Sequence, residues 1–385
     1  MTDYDIIIIG AGAAGLMAAA TAVQREKQVL ILEMGNAPAR KVMVSGGGKC
    51  NITNMAANAD RYFGNNPQFV HSALAQVTPN NILHWANKHK LKPFEKTTGR
   101  YFCESGAAAV VNALINDIKP ALTLFNTTVT GVIKSDNVFL VETNKGTYKS
   151  NSVIVATGGT SFASLGVSDV GYKIAKHFGH KIVPIRPGLC AIATHTIPNT
   201  LSGISVPVQI SINKHKINDD LLFTHFGIGG PAAYRTSLYD LNDGIYIDFL
   251  PNADISNIIQ AAKQKYGKKS ASTILAQYLP VKLVKWIVNN IDKNIADLNK
   301  QDIQNISCKT HKFYISATDI KRHNLQSAEI VRGGVATDDI SSKTMESKLC
   351  DGLFFVGEVI DIAGDLGGFN LHWAWASGIV AGNNA

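Results

Sequence analysis

"YDIIIIGAGAAGLMAAATAVQREKQVLILEMG", residues 4–35, decides how this chain folds. Ile6 to Ile9 are a run of β-branched residues, as expected of a parallel strand covered on both faces. The run leads straight into Gly10-Ala11-Gly12-Ala13-Ala14-Gly15, then an alanine-rich helix, then a second strand from Val29 to Leu32, closed by Glu33. Each glycine has its own reason. Gly10 permits the tight turn, Gly12 lets a pyrophosphate approach the backbone, and Gly15 lets the helix lie close to the strand. The helix N-terminus offers free N–H groups and partial positive charge to phosphates. Glu33 is placed to accept from ribose hydroxyls, and its charge disfavours a 2′-phosphate. The unit therefore reads as a dinucleotide-binding βαβ fold in which FAD or NAD is the ligand.

Working outward, "SVIVATGGTS" (152–161) is a second buried strand ending in a glycine turn, and "LFFVGEVIDIAGDLGGFN" (353–370) is a third. The stretch 128–159 between the first two glycine motifs and the middle of the chain reads as an antiparallel meander returning to the main sheet. Strand, glycine loop and acid recur near the C-terminus, which suits a long ligand whose far end needs contacts of its own. That favours FAD. A single G-x-G-x-x-G occurs, and "FTHFGIGGPAA" lacks the strand and acid of a second nicotinamide unit. NADH or NADPH is thus a candidate transient electron donor, without a bound site of its own.

"SGGGKCN", residues 45–51, is not a phosphate loop: G-x-x-x-x-G-K-[ST] needs glycine at 43 and a hydroxyl at 50, where Met43 and Cys50 stand. A connector, a thiol site and the floor of a cofactor pocket stay open; in the last reading its glycines let the backbone approach the cofactor, Lys49 offsets phosphate charge and Asn51 donates to the ring edge. The five cysteines are far apart in sequence, so reduced thiols are expected and Cys50 is read as a packed small residue.

The chain has 385 residues, enough for two or three domains, and 45% apolar content, which supports a full core. The apolar run near the start is short and lacks a basic flank, so a cytoplasmic protein without a membrane role is expected. The formal net charge of +8 is concentrated between Gln260 and Leu325, where twelve Lys/Arg face four Asp. Helical spacing in "ASTILAQYLPVKLVKWIVNNI" (271–291) makes this a basic helical module. It reads as a solvated lysine face, since aromatic–basic interleaving is missing; nucleic acid stays an alternative partner.

At these motifs the chain resembles a known group. "GAGAAGLMAA" (10–19), "KVMVSGGGKCNITN" (41–54), "IVATGGTS" (154–161), "LFTHFGIGGPAA" (222–233) and the long block 331–378 are similar to the HI0933-like (YhiN/BaiN) family of FAD-dependent oxidoreductases. The resemblance runs from Tyr4 to Gly382. It implies an α/β fold: a Rossmann-like FAD-binding domain of the GR2 flavoprotein type with an inserted β-rich and helical region. The implied boundaries are 1–191 and 326–385 for the FAD domain, 192–252 for a β-rich, barrel-like insert and 253–325 for the basic helical insert. The implied cofactor-binding residues on the ADP half are Gly10, Gly12, Ala14, Gly15, Glu33, Met34, Arg40, Lys41 and Val129. Toward the diphosphate and flavin they are Ser45, Gly46, Gly47, Lys49, Cys50, Asn51, Ala156, Thr157, Gly158, Gly357, Glu358, Gly368, Phe369, Asn370 and Leu371. Glu358 stands where related flavoproteins commonly have Asp, and would reach the ribityl chain. Asn370 and Leu371 open the last helix, whose N-terminus would hold negative charge on the flavin pyrimidine.

Two positions depart from the family pattern. Ser168-Asp169-Val170-Gly171-Tyr172 replaces a Gly-Asp-Gly-Tyr stretch, so Asp169 is not carried over, and His372 stands where Gln is usual. His372 is either a structural substitution or a titrating group. His372 and His225 are the candidate acid–base residues; Arg100, Tyr101, Tyr234 and Arg235 are candidate carbonyl or anion binders. The expected activity is flavin-dependent oxidoreduction of a small organic substrate, by enone reduction or amine/ketone oxidation. A flavoprotein acting on RNA through the basic insert and a flavin-bearing regulator without turnover are the alternatives. No metal is expected, and oligomeric state is left open.

Overall fold

The computed structural model describes residues 3–97, 99–162 and 166–385. The chain forms two compact units, Met1–Arg186 with Glu329–Ala385, and Pro187–Ala328.

The first unit is organised by the opening strand, Tyr4–Ile9. It pairs in parallel with Val29–Leu32 on one side and with the end of Gly146–Val155 on the other, Ile8 facing Ile31 and Ile154. Outside these lie Leu122–Leu124 and, in parallel with Gly146–Val155, Leu353–Phe355. The first half of Gly146–Val155 turns back through Val138–Thr143 and Val129–Ser135 as an antiparallel meander. Ile6 to Ile9 are at most 3% exposed, because helices cover the sheet. Burying each such side chain contributes about 1.5–3 kcal/mol.

The helix after the first strand, Ala13–Gln24, is buried around most of its surface, which its alanines allow. It lies against the last helix, Phe369–Asn384. A Cβ on Gly378 would stand 2.4 Å from Ala14 O and one on Gly382 2.5 Å from Ala18 O, so only glycine admits this backbone approach.

The second unit is a seven-stranded sheet with helices on one face. Ser205–Ile212 and His215–Thr224 form its long hairpin, flanked by Ile245–Asp248 and Gly227–Gly229. Asp254 caps the helix Ile255–Tyr266 by accepting from Ser256 and Asn257 N–H. The boundary expected at 252/253 does not separate two cores. Phe313–Ile315 and Lys321–Arg322, from the far side of the helical stretch, return to the same sheet, and Val208, Ile247, Ile259, Leu283 and Ile306 share one core. Short helices of this kind need a sheet to bury their apolar stripes, so the β-rich and helical parts form one body. No described helix is long and apolar enough to cross a membrane.

Candidate functional site

The glycine motif separates into packing and ligand roles. A Cβ on Gly10 would stand 2.5 Å from Ala156 O, and one on Gly15 would stand 2.0 Å from Gly10 O. A Cβ on Gly12 would meet nothing within 4 Å. Gly10 and Gly15 are therefore demanded by the protein, whereas Gly12 faces open space that a ligand can use. Gly12 is also the N-cap of Ala13–Gln24, with no side-chain cap and no acid in the first turn. The first intrahelical donor is Leu16 N–H, to Gly12 O, which leaves the Ala13, Ala14 and Gly15 N–H groups for an anion.

Glu33 ends the second strand and curls back onto this loop. Its Oε2 accepts from Ala11 N–H at 2.8 Å and its Oε1 from Gly35 N–H at 2.7 Å. Each oxygen keeps lone-pair capacity for a ribose hydroxyl. Arg40 flanks Gly35 beside Glu33, and Met34 and Arg40 both reach Gly166. Val129 is buried where the meander begins.

Lys41 and Glu358, 317 positions apart, meet directly: Lys41 Nζ donates to Glu358 Oε2 at 2.9 Å and to Ser161 Oγ at 2.9 Å. Glu358 Oε1 accepts from Val331 N–H at 2.9 Å. Nothing in the sequence spacing brings Lys41 to Glu358 or marks Val331; only the Ser161 that closes "GGTS" hints at a hydroxyl here. Gly357 is held by Ser377 Oγ, which accepts its N–H at 3.0 Å, and by Trp373 Nε1, which donates to its carbonyl at 3.1 Å. Ala156 N–H donates to Ile9 O, setting the second glycine turn beside the first. Thr157 Oγ1 is buried without a hydrogen-bond partner, and Gly158 faces open space.

"SGGGKCN" folds as a tight turn, Ser45–Gly48, in which Gly46, Gly47 and Gly48 all have φ between 58° and 83°. Gly46 is held against Phe102, while Gly47 and Gly48 face open space. The role expected for Asn51 is corrected. Its amide donates to Tyr101 O at 3.2 Å and accepts from Gly368 N–H at 3.1 Å, so it braces the last helix rather than offering a free donor. Lys49 is likewise drawn aside, its Nζ 5.9 Å from the Phe94 ring centre.

The N-terminus of Phe369–Asn384 starts at Gly368, φ 95°, and has neither a side-chain cap nor an acid. Asn370 closes the preceding loop: Oδ1 accepts from Gly364 N–H at 2.7 Å and Nδ2 donates to Gly364 O at 2.8 Å. Phe369 is fully buried and serves packing; Leu371 is partly buried. Arg100 lies over Gly367, its Nε 2.7 Å from where a Cβ would stand.

His372 is fully buried, with Nδ1 2.9 Å from Thr53 Oγ1 and Nε2 3.1 Å from Val77 O. The neutral ring satisfies both contacts, Nε2–H donating to the carbonyl and Nδ1 accepting from the hydroxyl. Burial pushes its pKa down to about 4, against which the Val77 contact pulls weakly. Both ring nitrogens are thus committed to protein partners. His225 is exposed on the turn before Gly227–Gly229 in the second unit, where Arg235 is paired with Asp219 at 3.6 Å. Asp169 forms an exposed ion pair with Lys173 at 2.9 Å.

The structure also supplies a neighbour that sequence spacing hid. Asn51 pairs with Phe102, and Cys103 N–H donates to Lys49 O at 3.0 Å, which sets Cys103 beside Cys50. Both are fully buried, and burial pushes the thiols up to about 11 and about 12. Such thiols stay protonated and unreactive at neutral pH. A thiol reagent should therefore label exposed Cys308 in native protein and spare Cys50 and Cys103, and Cys50→Ser should retain FAD and its reduction. Rapid native labelling of Cys50, or loss of flavin reduction with FAD still bound, would reverse this assignment.

The open space over Gly12, Gly47, Gly48 and Gly158 and two uncapped helix N-termini fit an elongated diphosphate cofactor. Residues 4–384 match the family model described as the HI0933-like protein Rossmann domain. Two proteins named ribosomal RNA dihydrouridine synthase are similar over 98% of this chain. The one from Haemophilus influenzae is 38% identical over 97% of its length, and that from Escherichia coli 35% identical over 96%. A 3-dehydro-bile acid delta(4,6)-reductase from Clostridium scindens is 28% identical over 98% of both chains.

Proposed function

Because the chain belongs to the HI0933-like family of FAD-dependent oxidoreductases, we propose that it reduces the C5=C6 bond of a uracil base in ribosomal RNA. The observation that carries this reading is the pair of relatives named for that reaction, at 35% and 38% identity across almost the whole chain, against 28% for the bile-acid reductase. The chemistry joins all three. The uracil double bond is conjugated with C4=O, as the Δ4 bond of a 3-oxo steroid is with its ketone, so each substrate is an enone. FAD, once bound and reduced by NADH or NADPH, would supply the two electrons as a hydride equivalent for the β-carbon, C6 in uracil, with a proton drawn from solvent completing the α-carbon, C5.

The chain's own residues supply the rest. The Ala13–Gln24 N-terminus and Gly12 hold the diphosphate, and Glu33 holds the ribose. The Phe369–Asn384 N-terminus, braced by Asn51 and Asn370, holds negative charge at the pyrimidine end. Arg100, over Gly367, is the residue we assign to the substrate carbonyl, where a cation favours charge developing on oxygen. His372 is not assigned the proton for the α-carbon, since its ring nitrogens are both engaged. A non-catalytic flavin regulator is set aside, because the relatives carry the names of enzymes.

Ribosomal RNA from cells with and without the gene, digested and analysed by mass spectrometry, tests the proposal. One uridine should lose its two added hydrogens on deletion and regain them when purified enzyme, NADPH and FAD are supplied anaerobically. Equal dihydrouridine in both RNAs would sink it. The second reading, a small-molecule enone reductase, is motivated by the bile-acid relative. It is favoured if steroid enones, and not RNA, re-oxidise the reduced enzyme.

A further inference from the structure

We infer that the outer face of the second unit's sheet is a stacking platform for single-stranded RNA, centred on Tyr246 and Tyr314. This rests on the RNA reading above. Alternation along the strands sends Val206, Val208, Ile210, Ile217 and Ile247 into the core and leaves the other face to solvent. One rung of that face runs Lys216, Ser211, Tyr246, Tyr314 through successive strand pairings. The two tyrosines are 51% and 43% exposed, with ring centres 4.8 Å apart and planes 36° from parallel. Tyr314 is fixed by its hydroxyl, which donates to Asp243 O at 3.2 Å. In the next rung Asn218 and Gln209 present amides joined at 2.9 Å, and Asp248 beside Gln209 is paired with His311 at 2.9 Å.

A cross-strand tyrosine pair adds only modestly to a sheet's stability, which does not require two large rings to stay in water. Paired aromatics on an open sheet face, with amides and lysines beside them, offer what unpaired bases and a phosphate backbone need. Charge points to the same occupant: Pro187–Ala328 holds fifteen Lys/Arg and ten Asp, with no Glu, and Lys214, Lys216 and Lys312 are exposed on or next to these strands. The aromatic–basic interleaving absent from the linear sequence is assembled across strands.

The test compares FAD-loaded wild type, Tyr246→Ala/Tyr314→Ala and Tyr246→Phe/Tyr314→Phe. Binding to deproteinised ribosomal RNA and to a fluorescent uridine-rich single strand is measured at two salt concentrations. Each lost stack weakens binding about 5- to 150-fold. The alanine variant should therefore bind at least ~10-fold more weakly, with FAD content and melting temperature preserved, while the phenylalanine variant stays within ~2-fold. Wild-type affinity in the alanine variant overturns the platform and leaves the RNA reading standing. Absence of salt-dependent binding by wild type itself overturns both.

Discussion

Gly12→Ala should yield a folded protein, with the melting temperature of wild-type apoprotein, that no longer retains FAD. Gly15→Ala should melt lower even as apoprotein. The two glycines share a motif, and the difference lies in what surrounds them. At Gly12 a Cβ meets nothing within 4 Å, and its φ of −79° suits any residue, so the free fold tolerates the methyl. The methyl instead occupies the surface over which the diphosphate must pass to reach the Ala13–Gln24 N–H groups. Losing that approach should weaken FAD at least ~100-fold, or ~2.7 kcal/mol. At Gly15 the methyl would sit 2.0 Å from Gly10 O, forcing the helix off the turn at about 1–3 kcal/mol or more. Apoproteins must be compared, because bound FAD stabilises the fold by mass action, about 2.7 kcal/mol at a hundred times Kd. Titration calorimetry with FAD and differential scanning fluorimetry of apoprotein decide the matter. An unchanged Kd in Gly12→Ala would show that the open space is not the cofactor's.

Acidification should destabilise the wild type through His372, and His372→Gln should remove much of that sensitivity. In the fold burial holds this imidazole down to about 4, whereas unfolded it titrates near 6.5. Between those values the unfolded chain binds the extra proton, so stability falls as pH falls through the window. The full shift corresponds to ~3 kcal/mol, present above pH ~6.5 and lost by pH ~4. His180, also lowered by burial, adds a contribution of the same sign that the variant keeps. Chemical denaturation from pH 7 to 4 measures the slope; equal slopes in wild type and His372→Gln would refute the assignment. Flavin reduction by NADPH should keep its pH profile in this variant, because His372 faces Thr53 and Val77.

The glycine-motif unit was legible because its chemistry is local. Strand, glycine turn, helix and closing acid lie within thirty residues, and backbone sterics set each role, as the contrast between Gly10, Gly12 and Gly15 shows. The flavin half was legible mainly as motifs, and specific assignments there changed. Asn51 had the right location and a different task, since Gly368 and Tyr101 claim its amide. His372 was open between two readings, because a histidine's pKa depends on burial and partners that come from Thr53 and Val77, hundreds of positions away.

From its sequence alone this protein could be assigned an α/β dinucleotide-binding unit and its cofactor class, since strand period, glycine spacing and helix termini act over short range. Tertiary structure alone decided that Lys41 meets Glu358, that Cys103 lies beside Cys50, that the basic helices share a core with the sheet, and that Tyr246 stands against Tyr314. Those pairings follow from strand register and core packing, which sum many weak long-range contacts and leave no local pattern to read.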